Sequence, residues 1–447
     1  MLDVYLKRLL RIRDDAAQSP NLLPGLFLLS FALRAAAVVI IHDWASPVTW
    51  EYGVIAGNVL DGKGFSGSAW FVPEGKTAFM APAYVYLLSG FLWLFGGAAY
   101  AVLQFLQCGF GALSVILVFL IVRRAFDQRS AVFAALMLAF YPVHVYLTTR
   151  IHPAVLTTTL VLGAVGFGQR MIERRSLKDA ACLGACFGVG LLFEPALLCF
   201  LPVACLGPLV VRPKAWRRGA ALLAVSAGVA AMILTPWTIR NYLVFKRFVL
   251  IKSSLGFIVW LGNHEGATGT HVVLDGEGRP VHVSKHHISP ERMERLKALP
   301  EPEIYNEFGR MALAYMCKHP RETAILMLKK AAYYWWYPTW YTCPRCREGT
   351  HLTPFHHPEK AIWFVAVLLG VAGGIARRRD WRNWLYLVGP MASFTGLYAI
   401  ASVGSNARYR FPVECIVLGF AGAAVATVVG AFRGHTVTRA ALNADSR

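Results

Sequence analysis

Charge is scarce in this chain, and acid is scarcer still: of 447 residues 16% are charged, with 25 Asp and Glu against 45 Lys and Arg. Hydrophobic residues make up 56% and the mean hydropathy is +0.47, a balance that excludes an ordinary soluble domain and belongs to polytopic membrane proteins. There is also too little continuous polar sequence for a separate catalytic domain, since the main hydrophilic block, about 262–323, could not build a core of its own. Paired cysteine is nearly missing. Cys108, Cys182, Cys186, Cys199, Cys205 and Cys415 stand singly in apolar runs as small core residues, and Cys343 with Cys346 is the one apparent pair. No small-residue cleavage site follows the basic start "MLDVYLKRLLRIRDD", so it reads as a tail before an uncleaved first helix. The formal net charge of +20 sits in short clusters between apolar segments. That is the pattern of cytoplasmic loops, and it argues against nucleic acid as a partner.

What is present is a series of apolar segments at roughly 22–42, 80–98, 100–122, 131–148, 154–169, 180–193, 195–211 and 219–236, followed by 361–376, 383–402 and 412–432. If every one crossed, the N-terminal basic cluster and the next three would fall on opposite sides, against the positive-inside rule. Segment 80–98 is short, opens near Pro82 and is joined to the next span by almost no loop. Laid on the outer face, it returns the basic clusters to the cytoplasm and leaves ten crossings. Segment 324–341 is read as interfacial rather than as an eleventh span, because Lys329 and Lys330 interrupt it and its Tyr and Trp residues suit the headgroup zone. The expected architecture is an all-α polytopic membrane protein. Its parts are a cytoplasmic start at 1–21, a membrane module at 22–236 with a first outer loop at 43–98, and an outer loop at 237–359 with short amphipathic helices near 291–298 and 302–317. C-terminal spans at 360–432 and a tail at 433–447 complete it.

This topology gathers the unusual polar residues on the outer face: Asp43, Glu51, Lys76, Arg150, His152, Glu194, Arg240, Asn241, Asn263, His264, Glu265, Arg408 and Arg410. Charges at helix ends facing a bundle are costly and mark sites, although some are read equally well as anchors snorkelling to headgroups. In "TWEYGVIAGNVLDGKGF" the apolar residues Tyr52, Ile55, Ala56, Val59 and Leu60 follow helical spacing, which predicts a helix too short and polar to cross. Glu51 lies near its start, where the helix dipole keeps a carboxylate ionised. It is either a base for a hydroxyl or a plain solvated charge. Arg240 and Asn241 end the motif "LTPWTIRN", where a span is expected to stop at Pro236–Trp237, and Arg408 and Arg410 flank Tyr409. Guanidinium groups in fixed geometry suit phosphate oxygens, and Lys76 adds a point charge. Ordinary anionic headgroups are the competing ligand. Cys343 and Cys346, with His351, His356 and His357 nearby, read as a disulfide or free thiols in preference to a metal knuckle.

In order along the chain, "EYGVIAGNVLDGKGF", "KTAFMAPAYVYLLSGFLWLFG", "RRAFDQR", "LTPWTIRNYLVFKRFV", "GNHEGATG", "KHPRETAILMLKKAAYYWW" and "ARYRFPVE" resemble the GT-C glycosyltransferases. Within that clan they are most similar to the protein mannosyltransferase and aminoarabinose transferase group. The resemblance covers roughly 20–425 and implies a multi-pass protein of the inner (plasma) membrane with its site facing outward. It also implies a sugar donor on a polyprenyl phosphate and an acceptor that is lipid, glycan or protein. The family's acidic residue four positions before the Tyr of the first outer helix is Val48 here. Glu51 is then the nearest replacement as catalytic base, with Asp43 as the fallback. His152 stands where a second acid precedes a proline in that family, and Glu194 where Lys is common.

A polyprenyl phosphate leaves readily, so cations to hold it and one base for the acceptor are enough. A single displacement with one carboxylate inverts the anomeric centre. The expectation is Glu51 (or Asp43) as base and Lys76, Arg240, Arg408 and Arg410 around the phosphate. Tyr52, His152, Glu194, Asn241, Asn263, His264, Glu265 and Tyr409 would line the cavity. No cofactor or metal site follows from the sequence, although a divalent cation is compatible with it. A lipid-linked sugar flippase and a non-catalytic lipid-binding assembly subunit are the rival classes, but the internal repeats and broken midplane helices of a transporter are missing.

Overall fold

The computed structural model describes residues 20–69, 72–203, 216–270, 272–274, 280–282, 288–336, 356–401 and 407–444. It is a bundle of helices with two small antiparallel hairpins, β1 (Ser66–Ala69) with β2 (Val72–Lys76) and β3 (Val272–Leu274) with β4 (Pro280–His282). Helix α1 (Leu22–Ile41) is apolar all round and buries the stripe Leu26, Ser30, Arg34, Val38. A spacing of four is one face of a helix packed on a neighbour. Its other faces expose Leu28, Val39 and Ile40, as expected of a surface whose solvent is lipid. Among the described residues six helices are long and apolar enough to cross a membrane, or seven if one bent pair counts as a span. The protein is a multi-pass membrane protein.

Segment 80–98 forms α3 (Pro82–Phe95), followed by a 3₁₀ turn at Gly96–Ala98 and then α4 (Ala99–Ala125). The three do not make one rod. Tyr84 donates to Gln107 at 2.9 Å, whereas 23 residues of continuous helix would separate them by about 34 Å. The chain folds back at Gly96, whose φ of 50° and ψ of −122° are backbone angles that a Cβ disfavours. Helix α3 also packs on α2 (Trp50–Leu60), with the Ser89 hydroxyl donating to the Ala56 carbonyl at 3.3 Å.

Two sequence expectations are corrected here. The single span expected at 131–148 is a pair, α5 (Gln128–Ala139) and α6 (Pro142–Thr148), bent by 53°. Pro142 starts the second helix and disfavours the helical conformation of the residue before it. The helix expected to stop at Pro236–Trp237 instead runs on as α9 (Trp216–Phe245). Proline removes one backbone donor there, and the helix runs on through it, with the flanking hydroxyls bonded within it: Thr235 bonds Ala231 O at 2.7 Å and Thr238 bonds Leu234 O at 3.2 Å. The polar end of the "TPWTIRN" motif therefore sits on a rigid helical turn rather than in a loop.

Helices α7 (Ala154–Arg174) and α8 (Leu177–Phe193) complete the first half, and α8 lies along α9. The segment expected as a span at 195–211 begins as a 3₁₀ helix at Pro195–Phe200, and 204–215 lie outside the described residues. Further along the chain come α10 (Leu255–Leu261), α11 (Pro290–Lys297), α12 (Glu301–Lys318) and α13 (Pro320–Trp335). The last three elements are α14 (His356–Ala376), α15 (Trp381–Ile400) and α16 (Ala407–Ala444). Helix α14 packs along α16 so closely that a Cβ on Gly373 would lie 1.9 Å from the Phe420 carbonyl oxygen. Gly373→Ala is expected to lower stability by about 1–3 kcal/mol through overpacking, read as a fall in Tm in detergent. Gly25→Ala, with nothing within 4 Å of the new atom, is the control expected to show no such fall from packing.

Candidate active site

The chain after α1 starts with a 3₁₀ turn at Asp43–Ala45 and continues into α2. Trp50, the first residue of α2, has a φ of 46°. A non-glycine residue in the left-handed region costs on the order of 1 kcal/mol or more, and such strain gathers at functional sites. Glu51 follows directly and is half-buried. Among the described residues no hydrogen-bond partner is found for its carboxylate. Its charge helps raise the proton affinity of Tyr305 on α12, behind the larger effects of burial and Glu301. Tyr52, on the next position, is buried and meets Tyr84 edge-on at 5.2 Å and His152 at 6.1 Å. Trp50 meets the same imidazole at 6.0 Å. The His152 Nδ1 accepts from the Ala154 amide at 3.1 Å, which fixes the ring's orientation.

The turn that carries His152, between α6 and α7, leaves carbonyls pointing into the bundle, where no water can satisfy them. Two fully buried glutamines of α4 do so. Gln104 donates to Thr149 O at 2.7 Å, and Gln107 to Thr148 O at 2.9 Å and Arg150 O at 2.8 Å. Arg150 is thereby aimed at Asp43, with Nη1 to Oδ1 at 2.5 Å. Burial raises the Asp43 carboxyl above its ordinary range and the Arg150 charge opposes the rise. Asp43 Oδ2 and Arg150 Nε are buried without a hydrogen-bond partner among the described residues.

The second group centres on the end of α9. Trp237, Thr238 and Asn241 lie on one face and take three consecutive carbonyls of the following chain: Ile251 (2.8 Å), Leu250 (2.9 Å) and Val249 (3.0 Å). Arg240 reaches the other way, with Nη1 to Thr77 O at 2.8 Å and Nη2 to Phe65 O at 2.9 Å, its guanidinium 4.8 Å from the Trp237 ring centroid. Expected as a phosphate ligand, Arg240 instead grips the backbone on either side of the β1–β2 hairpin. Lys76 is exposed and donates to the Lys63 carbonyl at 2.6 Å.

The third group joins the "GNHEG" turn to the end of α15. Asn263, fully buried, donates to Ile400 O at 3.0 Å and accepts from Lys330 Nζ at 3.0 Å. Lys330 also reaches Gly262 O and Ile400 O. Sequence reading placed this lysine at a headgroup surface, yet it is fully buried, and desolvation lowers its pKa from 10.5 to about 8. The folded state therefore holds the proton less firmly than the unfolded chain. Between pH 8 and 10.5 the unfolded state binds more protons, so stability rises with pH, by about 2–3 kcal/mol over the window. A Tm series across that range tests this, and Lys330→Met is expected to remove the rise. His264 is buried with Nδ1 2.6 Å from Glu265 O, Glu265 itself is exposed, and Tyr409 is half-buried against Tyr398 at 4.9 Å. Glu194 caps the 3₁₀ turn through the Ala196 amide at 3.3 Å.

Arg410 needs a correction. Expected beside a phosphate at the outer face, it is 1% exposed and lies in the core between Glu414 (Nε to Oε1, 3.1 Å) and Glu359 (Nη2 to Oε1, 3.9 Å), under the Trp363 ring. His144 completes this cluster 3.6 Å from Glu414. The Arg408 side chain, Cys343, Cys346 and His351, and the side chains of His356 and His357, lie outside the described residues. Among those described, no group of three or more His, Cys, Asp or Glu is placed to hold a metal ion.

Sequence reasoning missed Gln104, Gln107, Glu301 and Lys330. The glutamines had a signal, two amides three apart inside the apolar run "LQFLQCGF". Glu301 and Lys330 had none, since charges on short amphipathic helices ordinarily face water.

The fold has solved counterparts. It superposes on the Archaeoglobus fulgidus oligosaccharyltransferase in the apo form with a TM-score of 0.53 and 16% identity, over 95% of this chain and 52% of that one. The Archaeoglobus fulgidus protein AglB, in complex with an inhibitory peptide and a dolichol-phosphate, gives 0.52 and 17% over 94% of this chain and 52% of that chain. The chain thus spans about half the length of these proteins. ArnT from Cupriavidus metallidurans bound to undecaprenyl phosphate matches with a TM-score of 0.42 and 13% identity, over 92% of this chain and 79% of that chain. No curated protein matches in sequence. The fold is that of the GT-C membrane glycosyltransferases. Residues 80–239 match the family model of dolichyl-phosphate-mannose-protein mannosyltransferase.

Proposed function

We propose that this protein is a membrane glycosyltransferase that moves a sugar from a polyprenyl-phosphate donor to an acceptor hydroxyl on the outer face of the inner membrane. The observation that carries the reading is Glu51: a half-buried carboxylate without a hydrogen-bond partner among the described residues, one position after a strained Trp50. Its chain neighbours Trp50 and Tyr52 both pack against His152, in a chain with the GT-C fold. The carboxylate accepts the acceptor's proton as its oxygen attacks the anomeric carbon, the bond to the phosphate oxygen breaks, and the configuration inverts. Lys76, exposed on the same loop, is the cation for the leaving phosphate. The similar structure in complex with a dolichol-phosphate motivates that donor class. Asp43 is less suited to the base's task, because Arg150 already occupies one oxygen at 2.5 Å; it holds the start of the loop to the α6–α7 turn.

The test is native mass spectrometry of the purified protein for a bound polyprenyl phosphate, followed by transfer assays with polyprenyl-phosphate sugars. Bound lipid and turnover are expected. Lipid binding without turnover under any donor would favour a carrier or assembly subunit instead.

A further inference from the structure

The residues between β2 and α3 are held from two sides. The Thr77 carbonyl accepts from Arg240 Nη1 at 2.8 Å, and the Ala78 amide, on the other side of the same peptide bond, donates to Glu301 Oε1 at 2.7 Å. A cation at the carbonyl end and an anion at the amide end align this peptide dipole with the local field. The grip extends further. Ser253 Oγ donates to the same Glu301 oxygen at 2.6 Å while the Ser253 amide donates to Ala78 O at 3.0 Å. Glu301, Thr77 and Ala78 are 5%, 2% and 0% exposed. Glu301 is the first residue of α12, where the helix dipole favours a carboxylate. Committing a half-buried charge from α9 and a buried one from α12 to hold a single peptide is a costly device for an ordinary loop. The residue it immobilises is the one next to Lys76.

We propose that Glu301 is a positioning residue which, with Arg240, fixes the Thr77–Ala78 peptide and so sets Lys76 where it meets the phosphate of a lipid-linked donor. This rests on the glycosyltransferase reading above. Glu301 touches no substrate, so its loss acts on donor binding rather than on the chemical step. In Glu301→Ala, KM for the donor, and Kd for a polyprenyl phosphate in nanodiscs, rise about tenfold with kcat nearly unchanged, as the loss of hydrogen bonds to a charged acceptor predicts. Glu301→Gln keeps an acceptor oxygen for Ala78 and Ser253 and restores most of the affinity.

Hydrogen exchange of the peptide spanning 72–81 reads the grip without any substrate: protection falls in Glu301→Ala and returns in Glu301→Gln. Unchanged protection in the alanine variant overturns the grip. Lost protection with unchanged polyprenyl-phosphate affinity overturns the link to Lys76. If the unaltered protein binds no polyprenyl phosphate, the donor reading fails, and the exchange measurement still decides whether Glu301 holds the loop.

Discussion

Replacing Glu51 by Gln is expected to lower sugar transfer by about 10²–10⁴-fold, the span a general base contributes, with Tm and polyprenyl-phosphate affinity unchanged. The physical reason is local. The side chain is half-buried and, among the described residues, without a hydrogen-bond partner, so an isosteric amide breaks no hydrogen bond to them but cannot accept a proton. Asp43→Asn is the informative comparison. That change leaves Arg150, whose side chain is 14% exposed, without its carboxylate, so it is expected to lower stability as well as activity. Turnover retained in Glu51→Gln and lost in Asp43→Asn without a change in Tm would move the base to Asp43.

Arg410→Met is expected to destabilise the protein by about 3–5 kcal/mol, because removing one partner of a buried ion cluster leaves the others uncompensated. Glu414 and Glu359, 0% and 3% exposed, would remain in the bundle facing no guanidinium. Adding Glu359→Gln and Glu414→Gln to Arg410→Met is then expected to recover much of the loss, as replacement of whole buried clusters by neutral groups does. Chemical denaturation in mild detergent measures both. A phosphate ligand would behave in the opposite way, with Arg410→Met keeping its stability and losing lipid affinity.

The two arginines of the sequence motifs show where reading the chain stops. "RN" after "TPWTI" and "ARYR" before "FPVE" place guanidinium groups at helix ends, and a helix end at a membrane surface invites an anion. Whether the group meets a ligand or the protein's own oxygens depends on what other segments bring to it. For Arg240 these are the carbonyls of Phe65 and Thr77, far away in sequence. For Arg410 one carboxylate is local, Glu414 four residues on, and was readable as helical spacing. The other, Glu359, arrives from α14.

By itself the sequence determined the class: hydropathy and charge scarcity define a multi-pass membrane bundle, and the order of motifs points to the GT-C clan, whose fold the structure has. Helix positions were legible for the same reason, since an apolar run of about twenty residues in lipid has to satisfy its backbone internally. Only the tertiary structure decided that α3 doubles back on α4, that Pro236 is carried inside α9, and that Lys330 and Glu301 are buried. The reversal and the two burials turn on hydrogen bonds between residues remote in the chain, Tyr84 with Gln107, Lys330 with Asn263, Ala78 with Glu301. A buried polar group is tolerated only where such a partner is brought to it, and no local pattern records which partner that is.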